Sequence, residues 1–252
     1  MIRSMKIKCY VAALIGLCVL FAGCGDSKTN DGIEAEKTAE TLDGKADKAT
    51  VGEADKATES YLKGRELAFG LNGRKINLER GMALLREAAD LGSVDAKGEL
   101  AELCLSDDSG LGYDLAVEAA EAGNPFGQFA LAVYYQEGIE VVRDRDEAWE
   151  LTRKAFVGFK ERAMKKDPRA TLHYLALASE LELETFEDGQ IKEMLREGAN
   201  AKSAEAALML GKYYNRIERD GDGKIWLQRA EEAEIEKLAD KLGELAEILY
   251  CF

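Results

Sequence analysis

Small and large apolar residues recur in a fixed order from about residue 56 to the end of the chain. In this order a small residue is followed three positions later by a large apolar one, and then, at positions seven and eight, by a pair that is mostly small. Because such positions share one face of an α-helix, each occurrence predicts an amphipathic helix. The five occurrences are Gly81-Leu84-Ala88-Ala89, Gly112-Leu115-Ala119-Ala120, Ala148-Leu151-Ala155-Phe156, Ile191-Met194-Gly198-Ala199 and Gly223-Trp226-Ala230-Glu231.

A second amphipathic segment follows three of these helices after a glycine or small-residue break. Its best copies are GQFALAVYYQEG at 127–138 and AEAALMLGKYYNRI at 204–217, which place a small residue, Leu and Tyr at equivalent positions. The same alignment puts Cys104 at a tyrosine position, so Cys104 is predicted to lie in the core. The five recurring helices follow one another at spacings of 31, 36, 43 and 32 residues, which is the period of a helical repeat array.

The order of a small residue, Leu-Gly, Tyr, a glycine-containing loop, Asp and a run ending in Ala-Ala resembles the Sel1-like repeat, a relative of the tetratricopeptide repeat. The fullest copy spans residues 127–156, with Leu131-Ala132, Tyr135, Gly138, Asp144, Ala148 and Lys154-Ala155 in the family's order. The resemblance implies an all-α fold, a right-handed α/α solenoid of about five helix pairs. It also implies a concave face, lined by the first helices of successive pairs, that binds a protein or peptide partner.

The ends of the helices carry their own signals. Asn77, Asp108, Asp144 and Glu187 each lie four residues before one of the five recurring helices, where a side-chain acceptor caps free backbone amides. The segment 236–252 is amphipathic and begins no new pair, so it is predicted to be a C-terminal capping helix that covers the last apolar face of the array.

The N-terminal segment has the pattern of a secretory signal. Residues 1–8 hold three bases and no acid, and the apolar run at 9–22 is too short for a comfortable membrane span. Its end, Leu20-Phe21-Ala22-Gly23-Cys24, resembles the lipobox of bacterial lipoproteins, with Phe21 where leucine is usual. The resemblance implies that Cys24 carries diacylglycerol and an N-acyl chain such as palmitate. The alternative is an ordinary secretory peptide cut after Ala22 or Gly23.

Three segments with different compositions follow from these patterns. Residues 1–23 are predicted to be the lipoprotein signal peptide. Residues 24–55 contain no aromatic residue and few large apolar ones, so they are predicted to form an acidic, flexible tether. Residues 56–252 are predicted to form the helical repeat domain.

Charge limits the partners and the manner of membrane attachment. Removing the signal leaves 31 of the 34 bases against 48 acids, a net charge near −17. Such a charge repels nucleic acid and anionic lipid headgroups, so attachment is expected through acyl chains. The predicted location is the bacterial cell envelope, facing the periplasm or exposed at the surface. Gly25 favours the outer membrane, because an Asp after the lipidated cysteine is associated with the inner membrane in enteric bacteria.

Few residues carry candidate chemistry. His173 is the only histidine, so no two-histidine metal site is possible, and a Cys104–His173 nucleophilic pair is disfavoured because Cys104 falls at a packing position. The segment 220–231 imitates a calcium loop, but Lys224 and Ile225 stand where that loop requires an oxygen ligand and a glycine. We therefore predict no catalysis, no metal and no cofactor besides the lipid on Cys24.

These inferences together predict a membrane-tethered scaffold that mediates protein–protein or protein–peptide interactions. The alternative is a non-catalytic recognition or regulatory arm for a cell-envelope enzyme supplied by another chain. Tyr134 and Tyr213 occupy equivalent places beside the predicted core tyrosines and are the candidate partner-binding residues, since aromatic side chains are common interaction anchors. The alternative for both is packing between neighbouring helices.

Overall fold

The computed structural model describes residues 51–105, 110–180, 188–216 and 220–242. Within these ranges the chain forms eleven α-helices and no β-strand. The helices are α1 (Val51–Phe69), α2 (Leu78–Asp90), α3 (Val94–Leu103), α4 (Leu111–Glu121), α5 (Pro125–Glu137), α6 (Arg145–Met164), α7 (Pro168–Glu180), α8 (Asp188–Asn200), α9 (Ala204–Arg216), α10 (Asp220–Glu232) and α11 (Ile235–Leu242). Helix α1 begins inside the segment that was predicted to be a tether.

Consecutive helices pack against one another along the whole described chain, from α1 against α2 to α10 against α11. The result is five helix pairs followed by one further helix, which confirms the predicted all-α solenoid. Helix α11 lies at the start of the predicted capping segment, and residues 243–252 of that segment lie outside the described residues.

Small residues let neighbouring helices approach closely, as the repeat pattern predicts. A Cβ atom added to Gly127 of α5 would lie 2.4 Å from the Cβ of Ala119 in α4. A Cβ added to Gly81 of α2 would lie 2.6 Å from the backbone nitrogen of Ala68 in α1. No side chain fits at these distances, so glycine sets the spacing of both helix pairs.

Capping side chains begin the helices where the sequence predicts them. The side chain of Asn77 accepts a hydrogen bond from the backbone of Arg80 at the start of α2. Asp144 accepts two backbone hydrogen bonds at the start of α6. Both predicted caps are confirmed, whereas Asp108 and Glu187 lie outside the described residues.

The helices form two layers with different surroundings. We call α3, α5, α7 and α9 the inner helices and α2, α4, α6, α8 and α10 the outer helices. Nearly every described side chain of the inner helices is at least half-buried, whereas each outer helix exposes one charged face. A helix surrounded on all sides is a core helix. The face that was expected to form an open, concave groove is therefore covered in the described structure.

The array closes on itself, because its first helix pair contacts its last helices. The loop between α1 and α2 contacts the loops between α8 and α9 and between α10 and α11. Three backbone hydrogen bonds join them: Gly73 N to Lys202 O at 3.0 Å, Ile76 N to Ala233 O at 2.9 Å and Ala204 N to Gly70 O at 3.1 Å. Helix α11 also contacts α1 and α3. The first and last pairs are neighbours, whereas a linear solenoid joins each repeat only to the next.

Candidate functional site

A cluster of charged side chains lies at the centre of the closed array. We call it the ionic cluster, and its members are Arg65, Glu99, Glu102, Asp167, Arg169, His173 and Glu205. They come from the first helix and from three of the four inner helices, so the cluster joins parts of the chain that are distant in sequence.

Equivalent positions in the repeats bring part of this cluster together. Each inner helix begins with a capping side chain, and the second helical residue after that cap is buried in α5, α7 and α9, whereas in α3 its side chain is 42% exposed. At this position the inner helices carry, in order, Asp95, Phe126, Arg169 and Glu205. Arg169 and Glu205 therefore meet because their helices, α7 and α9, are neighbours that begin at the same level.

Arg169 is the central member of the cluster. Its guanidinium lies 3.0 Å from Glu102 and 3.1 Å from Glu205, with a third carboxylate, that of Glu99, at 3.6 Å. Its Cζ atom is 3.5 Å from the ring centroid of Phe69, a cation–π contact with the end of α1. The side chain is fully buried. One residue thus contacts helices α1, α3 and α9 from its place on α7.

Arg65 makes a second set of contacts beside the first. Its Nε atom donates to Glu99 at 2.6 Å, and its Nη2 atom donates to both carboxylate oxygens of Asp167 at 2.6 and 2.8 Å. Asp167 also caps α7, because its Oδ1 atom accepts from the backbone of Arg169 and Ala170. The start of α7 is therefore fixed by a residue of α1.

Burial and neighbouring charges shift the pKa values of the cluster in opposite directions. Burial raises the pKa of Glu99 above its usual range, even though Arg65 and Arg169 act against that rise. Burial acts in the same direction on Glu102 and Asp167. For Glu102 the charges of His173 and Arg169 outweigh it, and for Asp167 the charge of Arg65 does, so both pKa values are lowered. Glu99 is thus the acid of this group whose charged form is least favoured.

Arginine remains charged in this setting. Burial opposes the charge on Arg169, but its three neighbouring carboxylates outweigh that effect and raise the pKa above its ordinary value. The same balance raises the pKa of Arg65, through Glu99 and Asp167. A buried charge needs such partners, because the loss of hydration is costly when it is not compensated.

His173 does not form a nucleophilic pair with Cys104. Its Nδ1 atom lies 2.9 Å from the carbonyl oxygen of Arg169, and its Nε2 atom lies 2.9 Å from Glu102 Oε1. Both ring nitrogens are therefore engaged, and the ring is only 1% exposed. Cys104 is also 1% exposed, which confirms its predicted place in the core.

Tyr134 and Tyr213, the candidate partner-binding residues, both lie inside the protein. Each is only 2% exposed. Tyr134 of α5 packs against α4, where its ring is edge-on to Tyr113, and a Cβ atom at Gly112 would lie 2.2 Å from its hydroxyl oxygen. The ring of Tyr213 is edge-on to Tyr214. The described surface gives a partner no access to either ring, and their burial favours the alternative of packing between helices.

The remaining candidates fall in two groups. Cys24 lies outside the described residues. The segment that imitates a calcium loop forms helix α10 instead. Across the four described ranges, no group of three or more Asp, Glu, His or Cys side chains is placed to hold a metal ion. None of the helices in those ranges combines the length and apolar character that a bilayer span needs.

The repeat pattern did not predict the ionic cluster, although a local signal exists. Arg169 and His173 are four residues apart in PRATLHYLALA, which is otherwise apolar or small, and Glu99 and Glu102 interrupt the packing positions of α3. Charged side chains on helices without a polar face need partners in the interior. This signal identifies the residues but not which of them meet.

Comparisons with known proteins give only distant likenesses. No family model matches the chain, and no curated protein matches it. A Sel1 repeat protein from Oxalobacter formigenes is 18% identical, with 69% of this chain and 70% of that chain covered and a TM-score of 0.39. A protective antigen present in uropathogenic Escherichia coli strains, displaying an SLR fold, is 19% identical with a TM-score of 0.35. That match covers 73% of this chain but 47% of the antigen, so the chain spans about half its length.

Proposed function

We propose that the protein is a non-enzymatic helical-repeat scaffold, held at the bacterial cell envelope by a lipid on Cys24, that binds a protein or peptide partner. The observation that carries this proposal is the division into two layers. Among the residues that the structure describes, the ionic cluster is buried and its charges are paired with one another, whereas the outer helices present accessible surface.

The closed array limits where such a partner docks. A partner on the concave face would have to separate the inner helices from α1, because Phe69 and Arg65 occupy that space. The outer face of α6 is accessible without any rearrangement. It begins with charged residues and ends with Val157, which is 56% exposed, and Met164, which is 78% exposed. These two lie seven residues apart, so they share one face of the helix. Lys160 and Glu161 lie between them on the helix, so this end of α6 presents apolar and charged groups together. We assign the first partner contact to this C-terminal end of α6, around Val157 and Met164.

Site-specific photo-crosslinking in membranes tests the docking surface. A crosslinking amino acid at the position of Val157 is expected to capture one discrete partner. The same amino acid at Glu150, on the charged half of the same helix face and 57% exposed at its side chain, serves as the matched control and is expected to capture far less. Equal capture at both positions, or none at either, would remove α6 as the docking surface. The identity of the captured chain separates a general scaffold from a recognition arm for an envelope enzyme.

The anchor is tested separately from the partner. Cells expressing the full chain with labelled fatty acid are expected to incorporate the label, and Cys24→Ser is expected to abolish incorporation and release the protein from the membrane fraction. Firm attachment needs at least two acyl chains. Partial release of the unsubstituted protein from the membrane fraction would therefore indicate that it carries a single chain. Retention of label in Cys24→Ser would contradict lipidation at this residue.

A further inference from the structure

The hydrogen bonds of His173 define its proton count. Its two ring nitrogens each lie 2.9 Å from an oxygen, one from the carbonyl of Arg169 and the other from the carboxylate of Glu102. A carbonyl oxygen only accepts, and an ionised carboxylate only accepts. A neutral imidazole has one N–H and would leave one nitrogen lone pair facing an oxygen. Only the doubly protonated ring donates to both.

The surroundings of the ring supply countercharge on one side and aromatic contacts on the other. Three rings from the neighbouring α5 and α6 surround it, namely Phe126 at 5.1 Å, Phe129 at 5.6 Å and Phe159 at 4.6 Å between centroids. The charged groups facing it are the other members of the ionic cluster: Arg65 from α1, Glu99 and Glu102 from α3, Asp167 and Arg169 at the start of its own helix, and Glu205 from α9.

A cation at His173 brings the charges of the cluster closer to balance. The cluster holds four carboxyl groups and two guanidinium groups. An imidazolium is a third cation beside these acids. Its charge offsets negative charge in the interior, where an uncompensated charge is costly.

We propose that His173 is an imidazolium in the closed array and that its second ring proton joins α7 to α3 through the carboxylate of Glu102. Loss of this proton leaves Glu102 or the Arg169 carbonyl facing a lone pair and removes one cation from the cluster. The contact between the two inner helices then weakens. The stability of the array is therefore coupled to pH.

The coupling has a definite sign on each side of neutral pH. On the alkaline side, stability falls as pH rises far enough to remove the proton from the buried ring. On the acid side, the pKa values of Glu102 and Asp167 are lowered in the folded protein, so they stabilise it above their unfolded pKa values and stop doing so as pH falls through the folded values. The closed array is expected to be most stable between these limits.

NMR of the ring measures the proposed state directly, because the chain contains a single histidine. The full chain, labelled with ¹⁵N-histidine and carrying no histidine tag, is expected to show two protonated ring nitrogens at pH 7.5, where an exposed histidine is mostly neutral. One protonated and one unprotonated nitrogen at this pH would overturn the proposal, since the proton would then lie on Glu102 or be absent.

Two substitutions test the contact between His173 and Glu102. In Glu102→Gln the amide can donate to Nε2, so the ring is expected to become neutral at pH 7.5, and an unchanged imidazolium spectrum would contradict the assigned pairing. His173→Gln cannot lose a proton. Its urea midpoint is expected to stay level between pH 6 and pH 9, whereas the midpoint of the unsubstituted protein falls. Parallel pH profiles for the two proteins would also overturn the proposal, and the Glu102→Gln spectrum decides the matter if His173→Gln does not fold.

Discussion

Helices α5 and α7 begin with the same architecture but fill the centre of the array with opposite chemistry. Each starts with a capping side chain, Asn124 or Asp167, and each continues with a proline. The next residue is Phe126 in α5 and Arg169 in α7, and both are fully buried. They also contact one another, with the Arg169 Cζ atom 5.2 Å from the Phe126 ring centroid.

The difference shows that the repeat determines where a side chain points and that its neighbours across the closed array determine what it must be. Phe126 contacts rings, including Phe159 at 5.0 Å and His173 at 5.1 Å. Arg169 lies where carboxylates from α3 and α9 converge. An apolar residue at position 126 completes the apolar core. An apolar residue at position 169 would leave Glu99, Glu102 and Glu205 without their common cation.

Replacing both residues by methionine is expected to separate these roles most strongly. Arg169→Met removes the shared cation and leaves buried carboxylates uncompensated, which is expected to lower the free energy of unfolding by about 3–5 kcal/mol. Phe126→Met keeps an apolar side chain in a position that needs one, so its cost is expected to stay below about 1.5 kcal/mol. Urea unfolding followed by circular dichroism measures both. Similar losses for the two variants would show that the cluster acts only as packing.

The sequence allowed prediction of the repeats because their determinants are local. Small residues such as Gly127, the core place of Cys104, and the caps at Asn77 and Asp144 each follow from spacing within one or two helices. Closure is a different problem, because Arg65 and Asp167 are 102 residues apart. No period relates such a pair, and only the curvature accumulated over several repeats brings it together.

The candidate site was less predictable for the same reason. Tyr134 and Tyr213 stand beside the packing positions, and the sequence alone left exposure and packing as alternatives. Their burial arises because a second layer of helices covers the inner one, with Gly112 of α4 making room for Tyr134. How completely one layer covers the other depends on the contact between the first and last helix pairs. A sequence pattern within one repeat contains no information about that contact.

The two helices also differ at the next residue, which is Gly127 in α5 but Ala170 in α7. Adding a methyl group at Gly127 tests whether α5 needs a glycine where α7 has an alanine. Gly127→Ala is expected to destabilise the protein by about 1–3 kcal/mol, because its Cβ would lie 2.4 Å from Ala119 Cβ and 2.8 Å from the backbone of Ala120. Gly189→Ala is the matched control. Nothing lies within 4 Å of its added Cβ, so it is expected to be neutral or to stabilise by up to about 1 kcal/mol. A neutral Gly127→Ala would show that α4 and α5 are not as closely packed as described.

The caps of the two helices give the smallest expected difference, and its dependence on pH distinguishes them. Asp167→Asn keeps a capping oxygen but replaces the carboxylate that pairs with Arg65, and a loss of about 1–2 kcal/mol is expected at pH 6. Because the pKa of Asp167 is lowered in the folded protein, the stability due to its charge is present above the unfolded pKa and disappears as pH falls through the folded value.

The gap between the unsubstituted protein and Asp167→Asn should therefore narrow as urea unfolding is repeated from pH 6 towards pH 3. Asn124→Asp is the mirror experiment, because it places a carboxylate where the Asn124 amide now donates to Asp95 at 2.7 Å. Repulsion between the two acids is expected to destabilise this variant by about 1 kcal/mol at pH 6, and protonation in acid should relieve it. In acid the unsubstituted protein loses the attraction between Asp167 and Arg65, whereas Asn124→Asp loses the repulsion between its new carboxylate and Asp95. The stabilities of both variants therefore approach that of the unsubstituted protein, for opposite reasons. Gaps that stay constant with pH would mean that neither cap acts through its charge, and that α5 and α7 differ only in packing.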